Sequence, residues 1–260
     1  IGVQRGYNGL LNGETVELDT RSVSNIIQHG GTVLYTARCL EMHEEKYQLE
    51  AVKRCKEMGV EGMVVIGGDG SFRGAAALSA KGIPCIGLPG TIDNDIVCTE
   101  YTIGYDTAMN TAVEMIDKLR DTAQSHDKCS VVEIMGRNAG WIALNVGLAV
   151  GAVGIVVPEM PFDINVLAEK MKRVQSYRKQ HFIVVFAEGC GNSAEFAKKL
   201  TELTGIETRD TVLGHVQRGG APTLRDRVIA SEMGYYAVQL LDGGKSNRIV
   251  GLKNGRGGGV

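Results

Sequence analysis

Gly67-Gly68-Asp69-Gly70-Ser71 follows directly on the apolar run Met63-Val64-Val65-Ile66. The run has the pattern of a buried strand, and glycines without Cβ atoms let backbone N–H groups approach an anion closely. A helix predicted to begin at Ser71 directs its positive end toward that anion, and Asp69 supplies a carboxylate suited to Mg²⁺. The stretch therefore predicts a site for phosphate and a metal ion, although a tight turn in an ordinary α/β protein has the same pattern.

Other apolar runs along the chain are separated by helix-like segments. We predict strands over residues 33–35, 63–66, 83–88, 130–134 and 182–186. We predict helices over residues 44–58, 71–80, 104–122, 167–177 and 196–203. Alternation of this kind indicates parallel strands joined by crossover helices, so the predicted fold class is α/β.

Three of the predicted strands lead into polar segments, where open α/β sheets bind their ligands. The segments are Pro89 to Asp95, Met135 to Arg137 and Ala187 to Gly189. Asp93 and Asp95 can face one centre, where like charges raise the pKa of one carboxyl and suit it to accept a proton. A turn with side-chain to backbone hydrogen bonds explains that segment equally well, and Arg137 and Glu188 could each belong to an ordinary ion pair.

Composition favours a small-molecule partner. The 260 residues carry a net charge of −2 without a cluster of Lys and Arg, which argues against nucleic acid and membrane surfaces as partners. The six cysteines are scattered without C-x-x-C pairs, as in proteins with reduced thiols. The longest apolar stretch, residues 146–157, is interrupted by glycines and is too short to span a membrane. We expect a cytoplasmic protein.

Five motifs in order resemble the bacterial ATP-dependent 6-phosphofructokinases. They are Gly30-Gly31-Thr32 with Thr36-Ala37-Arg38, Gly67 to Ser71, Pro89 to Asp95, Met135 to Arg137, and Thr211 to Gly220. The resemblance covers nearly the whole chain and implies two Rossmann-like domains with parallel sheets. Residues 1–104 with 217–260 would form the nucleotide-binding domain, residues 105–216 would bind the sugar phosphate, and the active site would lie in the cleft between them.

The resemblance also implies a reaction and roles for individual residues. The enzyme would transfer the γ-phosphoryl group of Mg·ATP to the 1-hydroxyl of fructose 6-phosphate, a step of glycolysis. Asp93 would be the base, Thr91 would contact the transferring group and Arg137 would stabilise it. The other implied sugar-side residues are Ile92, Asp95, Met135, Gly136, Glu188, His215 and Arg218. The implied nucleotide-side residues are Tyr7, Arg38, Cys39, Gly68, Asp69, Gly70 and Ser71, with Asp69 holding Mg²⁺.

Two basic residues imply that the sugar-phosphate site is shared between subunits. In similar enzymes Arg209 and the residue at position 128 reach the sugar phosphate across a subunit interface, which implies a homotetramer with shared sites. Lys128 stands where the family usually has arginine. Lysine keeps the charge but loses the two-pronged hydrogen-bonding geometry, so we expect weaker binding of substrate.

The phosphoryl donor is predicted from two glycines. Similar enzymes that use pyrophosphate typically have Asp in place of Gly70 and Lys in place of Gly90, so glycine at both positions favours ATP. The alternatives are a pyrophosphate-dependent phosphofructokinase and a truncated, non-catalytic subunit that binds sugar phosphate.

The resemblance is weakest in the allosteric pocket and at the ends. Arg120 and Lys179 match basic residues of the family's effector pocket. Thr20, Val153 and Tyr177 stand where the family usually has Arg, Glu and Lys, so we expect poor binding of anionic effectors. The family's first strand, its glycine-rich ATP loop, the helix after it and the last helical stretch have no counterpart here, from which we expect low activity and stability.

Overall fold

The computed structural model describes residues 1–177, 181–253 and 256–259. The strands are β1 (Gly2–Val3), β2 (Thr15–Val16), β3 (Met63–Gly67), β4 (Cys85–Pro89), β5 (Cys129–Ile134), β6 (Gly154–Val156), β7 (Phe182–Ala187), β8 (Thr208–Val212), β9 (Arg248–Lys253) and β10 (Arg256–Gly259). The α-helices are α1 (Gly6–Asn12), α2 (Glu45–Glu57), α3 (Asp69–Ala80), α4 (Tyr105–Ser125), α5 (Trp141–Ala149), α6 (Ile164–Gln175), α7 (Ser193–Thr204) and α8 (Leu224–Asp242). Lys179, one of the two predicted effector residues, lies outside the described residues.

The chain divides into two compact units. Unit 1 comprises Ile1–Thr91, Ile96–Gly104 and Ala221–Val260, and unit 2 comprises Ile92–Asp95 and Tyr105–Gly220. The chain thus returns to unit 1 at residue 221 rather than at the predicted 217, and the short segment with Asp93 belongs to unit 2. The nucleotide and sugar-phosphate roles of the two units stay predictions.

Unit 1 is built on a four-stranded sheet in the order β10-β9-β4-β3. The pairs β3 with β4 and β4 with β9 are parallel, while β10 pairs with β9 in the antiparallel direction. β4 is buried along its whole length, as a central strand of a parallel sheet should be. The core beside it contains Leu10, Val52, Cys55, Leu78 and Cys85, contributed by α1, α2, α3 and the sheet.

Unit 2 has an entirely parallel sheet in the order β6-β7-β5-β8. Every residue of β7 is buried, because apolar helices cover this strand and its neighbours. Parallel strands place all their carboxyl ends at one edge, so the segments after β5, β6, β7 and β8 meet there. The predicted α/β class with parallel sheets is confirmed.

Two predictions of local structure are wrong. The stretch predicted as a strand over 33–35 forms a turn, and Tyr35 has a left-handed φ of 59° that a strand does not allow. α3 begins at Asp69 rather than Ser71, because Gly68 already accepts hydrogen bonds from the N–H groups of Ser71 and Phe72.

In the part of the chain that is described, no helix combines the length and apolar character needed to cross a membrane.

Candidate functional site

The glycine-rich turn after β3 lies beside the end of β4. Gly90 N donates a hydrogen bond of 3.0 Å to Gly67 O. A Cβ atom added to Gly68 would lie 3.8 Å from Thr91 Cβ. The two turns therefore form one surface in unit 1, with the first N–H groups of α3 and the Thr91 side chain close together. An anion held there would meet the positive end of α3.

Asp69 is the single acidic residue in the first turn of α3. Its carboxylate is 60% exposed and forms an ion pair of 2.7 Å with Arg73 one turn later. Among the described residues no group of three or more His, Cys, Asp or Glu could hold a metal ion. One exposed carboxylate suits Mg²⁺ that shares its coordination with phosphate oxygens and water, because Mg²⁺ is commonly bound in that way.

Tyr7 anchors the first turn of α3. Its hydroxyl donates a hydrogen bond of 2.6 Å to Ser71 O, and its ring lies against Gly74. Burial, and then the nearby Cys85 thiol, raise the pKa of Tyr7 well above its usual range, so the hydroxyl stays a donor. Tyr7 thus contacts the predicted phosphate-binding turn through the carbonyl of Ser71.

The two other predicted nucleotide residues lie in the irregular segment 17–40. Arg38 is exposed, and Cys39 Sγ contacts a carboxylate oxygen of Glu41 at 3.5 Å. Burial raises the pKa of the Cys39 thiol, which does not favour a reactive thiolate. Neither side chain contacts the turn after β3 through a hydrogen bond described in the structure.

The packing of Tyr7 on α3 predicts a difference between two neighbouring glycines. A Cβ at Gly74 would lie 2.6 Å from Tyr7 Cζ and 2.8 Å from its hydroxyl oxygen, whereas a Cβ at Gly70 would meet nothing within 4 Å. We expect Gly74→Ala to lower the free energy of unfolding by about 1–3 kcal/mol through overpacking. The matched Gly70→Ala should raise it by about 0.5–1 kcal/mol, because alanine is the better helix former. Urea unfolding of both variants measures this, and equal effects would contradict the packing described.

Asp93 and Arg137 form the centre of the site in unit 2. The Asp93 carboxylate is 4% exposed, and its Oδ2 lies 3.1 Å from Arg137 Nε, whose side chain is 64% exposed. Asp95 is exposed, so the two aspartates do not share one environment. The charge that the structure places next to Asp93 is therefore positive, and the pairing of Asp93 with Asp95 at a common centre stays a prediction.

The turn that carries Arg137 is held by acceptors from three separate segments. Glu188 Oε1 accepts hydrogen bonds from Gly136 N at 2.9 Å and Arg137 N at 2.6 Å. Gln217 Oε1, on a buried side chain, accepts from Met135 N at 2.9 Å. Glu159 Oε1 accepts from Gly140 N at 2.7 Å. Because each acceptor follows a different strand of the sheet, the position of Arg137 depends on the sheet as a whole.

The remaining predicted sugar-side residues divide into two groups. Met135 and Gly136 are buried, whereas His215 and Arg218 are exposed on the short 3-10 helix Gly214–Arg218. These residues follow β5 and β8 and therefore lie at the carboxyl edge of the sheet in unit 2, as do Glu188 and Arg137. Ile92, beside Asp93, is partly buried.

Lys128 and Arg209 lie at the opposite edge. Lys128 precedes β5 and Arg209 is the second residue of β8, whereas Arg137 follows β5. β5 has six residues, so roughly 20 Å of strand separates the two edges. Lys128 Nζ and Arg209 Nη2 both contact Glu207 Oε1, at 2.9 Å and 2.8 Å. Unit 2 therefore does not bring these two cations to its own Arg137.

Comparison with known proteins gives this geometry its context. The family model described as phosphofructokinase matches residues 1–241. The chain belongs to the phosphofructokinase family. The ATP-dependent 6-phosphofructokinase of Clostridium botulinum is 56% identical over 256 residues, which is 98% of this chain and 80% of that relative. A relative from Clostridium perfringens, named ATP-dependent 6-phosphofructokinase 1, is 55% identical over the same shares of the two chains.

Solved structures agree. The crystal structure of Pichia pastoris phosphofructokinase in the T-state is 32% identical with a TM-score of 0.93, and the match covers 99% of this chain and 31% of that one. The family predicted from the motifs, the fold and the enzyme class, a kinase, are confirmed by these matches. The roles of individual residues stay predictions.

The described residues linked to the family's effector pocket differ in their surroundings. The Arg120 guanidinium donates to the Val150 carbonyl at the end of α5. Val153 belongs to the buried core of unit 2, while Thr20 and Tyr177 are exposed. The buried Val153 side chain offers no ligand for a metal ion or an anion, and the poor binding of effectors stays a prediction.

Three residues of the site were missed by the sequence analysis. Gln217 and Glu159 hold the turn of Arg137, and Glu207 contacts both basic residues at the opposite edge. The position of Gln217, between His215 and Arg218 in a recognised motif, was an available signal. Glu159 and Glu207 carry no such signal, because neither lies in one of the motifs recognised from the sequence.

Proposed function

We propose that this phosphofructokinase transfers the γ-phosphoryl group of ATP to the 1-hydroxyl of fructose 6-phosphate, as the names of its Clostridium relatives suggest. The observation that supports this reaction best is the buried Asp93 carboxylate with Arg137 Nε at 3.1 Å. Transfer of a phosphoryl group to a hydroxyl requires a proton acceptor and positive charge beside the moving group. The pair supplies both within one unit.

In the proposed step Asp93 and Arg137 have different roles. The 1-hydroxyl oxygen forms a bond to the γ-phosphorus while the bond from that phosphorus to the β,γ-bridging oxygen breaks and ADP leaves. The hydroxyl proton passes to the Asp93 carboxylate. A carboxylate beside a guanidinium is favoured in its ionised, proton-accepting form. Arg137 can move its exposed guanidinium from Asp93 to the equatorial oxygens of the phosphoryl group, where it offers two hydrogen bonds.

The donor phosphates are assigned to the turn after β3. Gly68 and Gly70 would donate backbone N–H groups and Ser71 its hydroxyl, with Thr91 beside them, and Asp69 would hold Mg²⁺ together with the phosphates. Bound Mg²⁺ neutralises charge on the phosphate oxygens. Tyr7 supports this assignment indirectly, since its hydrogen bond to Ser71 O fixes the turn.

The choice of ATP over pyrophosphate depends mainly on Gly70. A side chain at position 70 would project into space that contains no protein atom within 4 Å of the added Cβ, so nothing in the fold requires glycine there. Gly90 differs, because a Cβ there would lie 2.8 Å from Ile66 Cγ2. Glycine at position 90 therefore has a packing reason of its own, and Gly70 is the stronger support for a nucleotide.

The donor assignment is tested with both phosphoryl donors. We expect turnover with Mg·ATP and little with Mg·pyrophosphate. Gly70→Asp should raise the KM for ATP by about tenfold or more, because it places a carboxylate against the phosphates, while the KM for fructose 6-phosphate changes little. Gly70→Ala adds a side chain without charge and is the matched control. Preference of the unmodified chain for pyrophosphate would contradict the proposed function.

The sugar-phosphate site is proposed to need a second copy of the chain. Lys128 and Arg209 lie at the amino edge of the sheet in unit 2 and Arg137 at its carboxyl edge. Two cations that a chain cannot bring to its own Arg137 can still complete a site in a neighbour. A homotetramer with shared sites, as the resemblance implies, would use them in this way.

A further inference from the structure

Glu207 is the common partner of Lys128 and Arg209. One of its oxygens, Oε1, lies 2.9 Å from Lys128 Nζ, 2.9 Å from Arg209 Nε and 2.8 Å from Arg209 Nη2. A single carboxylate oxygen thus meets both cations that are proposed to bind phosphate. This arrangement is the one a phosphate oxygen would adopt between the same two side chains.

The backbone fixes this cluster. Cys129 N donates a hydrogen bond of 3.0 Å to Glu207 O, and the parallel pairing places Cys129 opposite Thr208. Lys128 and Glu207 are therefore neighbours across β5 and β8. Arg209 follows Glu207 by two residues, so both side chains lie on one face of the strand. The three groups meet because of the register of the sheet, and the contact does not depend on a flexible loop.

Glu207 competes with any anion that approaches the two cations. The neighbouring Lys128, and then Arg209, hold the pKa of Glu207 below its usual range, so the carboxylate is ionised at neutral pH. The three side chains carry two positive charges and one negative charge, which leaves one net positive charge instead of two. The Glu207 side chain is 53% exposed, so it can swing away into water when an anion replaces it.

We propose that Glu207 is a specificity-determining residue that occupies the phosphate-binding pair in the empty protein and must be displaced when a phosphomonoester binds. This inference rests on the proposed role of Lys128 and Arg209. A doubly charged phosphate gains more from the two cations than a singly charged carboxylate does, and it can displace Glu207. Anions with a single charge have no such advantage, so Glu207 lowers affinity for all anions and favours dianions.

Calorimetric titration of the assembled protein with fructose 6-phosphate tests the proposal. Glu207→Gln keeps the size of the side chain and removes its charge, and we expect the Kd to fall about three- to tenfold, since the two ion pairs of this half-exposed carboxylate no longer compete. Glu207→Ser should act in the same direction. Glu202→Gln, an equivalent change of an exposed glutamate on α7, should leave the Kd unchanged.

A second pair of variants separates this proposal from the function on which it rests. Arg209→Ala alone should raise the Kd. Adding Glu207→Gln to Arg209→Ala should lower the Kd by a smaller factor than Glu207→Gln does in the unmodified protein, because only Lys128 remains to be released. If Arg209→Ala leaves the Kd unchanged, the proposed phosphate role of Arg209 is wrong. If Arg209→Ala weakens binding but Glu207→Gln weakens it too or has no effect, Glu207 positions the cations and the competition proposal is overturned.

Discussion

Asp93→Asn is expected to lower kcat by about 10²–10⁴-fold, the contribution of a positioned general base. The amide keeps the shape of the carboxylate and an oxygen for Arg137 Nε, which lies 3.1 Å from Asp93 Oδ2 in the structure. It cannot accept the hydroxyl proton. The KM for fructose 6-phosphate should therefore change little, and the loss should fall on the chemical step.

Steady-state kinetics with both substrates varied distinguishes these effects. Asp117→Asn, on the exposed face of α4, is the matched control and should behave like the unmodified protein. Calorimetric binding of fructose 6-phosphate to the Asp93 variant checks that the site still forms. A variant that keeps more than a tenth of the original kcat would show that Asp93 is not the base.

Loss of the Arg137 guanidinium should be nearly as damaging. Arg137→Ala removes positive charge from the proposed position of the transferring group, and the loss of one such donor typically lowers kcat by about 10²–10³-fold. It also removes the cation beside Asp93, which has almost no contact with solvent.

Arg137→Lys separates the effect of positive charge from the effect of guanidinium geometry. Lysine restores a positive charge without the planar, two-pronged geometry, so it should recover part of the activity and less than full kcat. Arg173→Ala, an exposed change on α6, is the control for the loss of an arginine. Full activity of the Arg137→Ala variant would show that Arg137 does not stabilise the transferring group.

The sequence predicted the parts of this protein that depend on local pattern. The predicted strands at β3, β5 and β7 match their observed positions, and β7 has the unbroken apolar run that a strand buried on both faces needs. The polar segments after them follow from the same strands, since carboxyl ends of parallel strands meet at one edge. The pattern alone left the role of Arg137 open, and its predicted role came from the resemblance to the family.

What the sequence did not predict depends on contacts between distant segments. Glu159 accepts from Gly140 N and Gln217 from Met135 N, and neither contact has a local signature. Likewise, the spacing of Asp93 and Asp95 along a turn did not indicate that Asp93 is buried and Asp95 exposed. Val33 to Tyr35 has the composition of a strand, but a left-handed turn at Tyr35 ends any extended segment.

The backbone of Arg137 has a consequence for how this protein can change over time. Its φ of 54° lies in the left-handed region, which costs a residue with a Cβ atom about 1–2 kcal/mol relative to glycine, and Glu188 holds it there through two backbone hydrogen bonds. Any selection for folding alone, in the laboratory or in evolution, would favour glycine at this position. Under the catalytic role proposed for Arg137, the reaction would oppose that replacement, and a lineage that keeps the fold without the reaction would be expected to lose this arginine early.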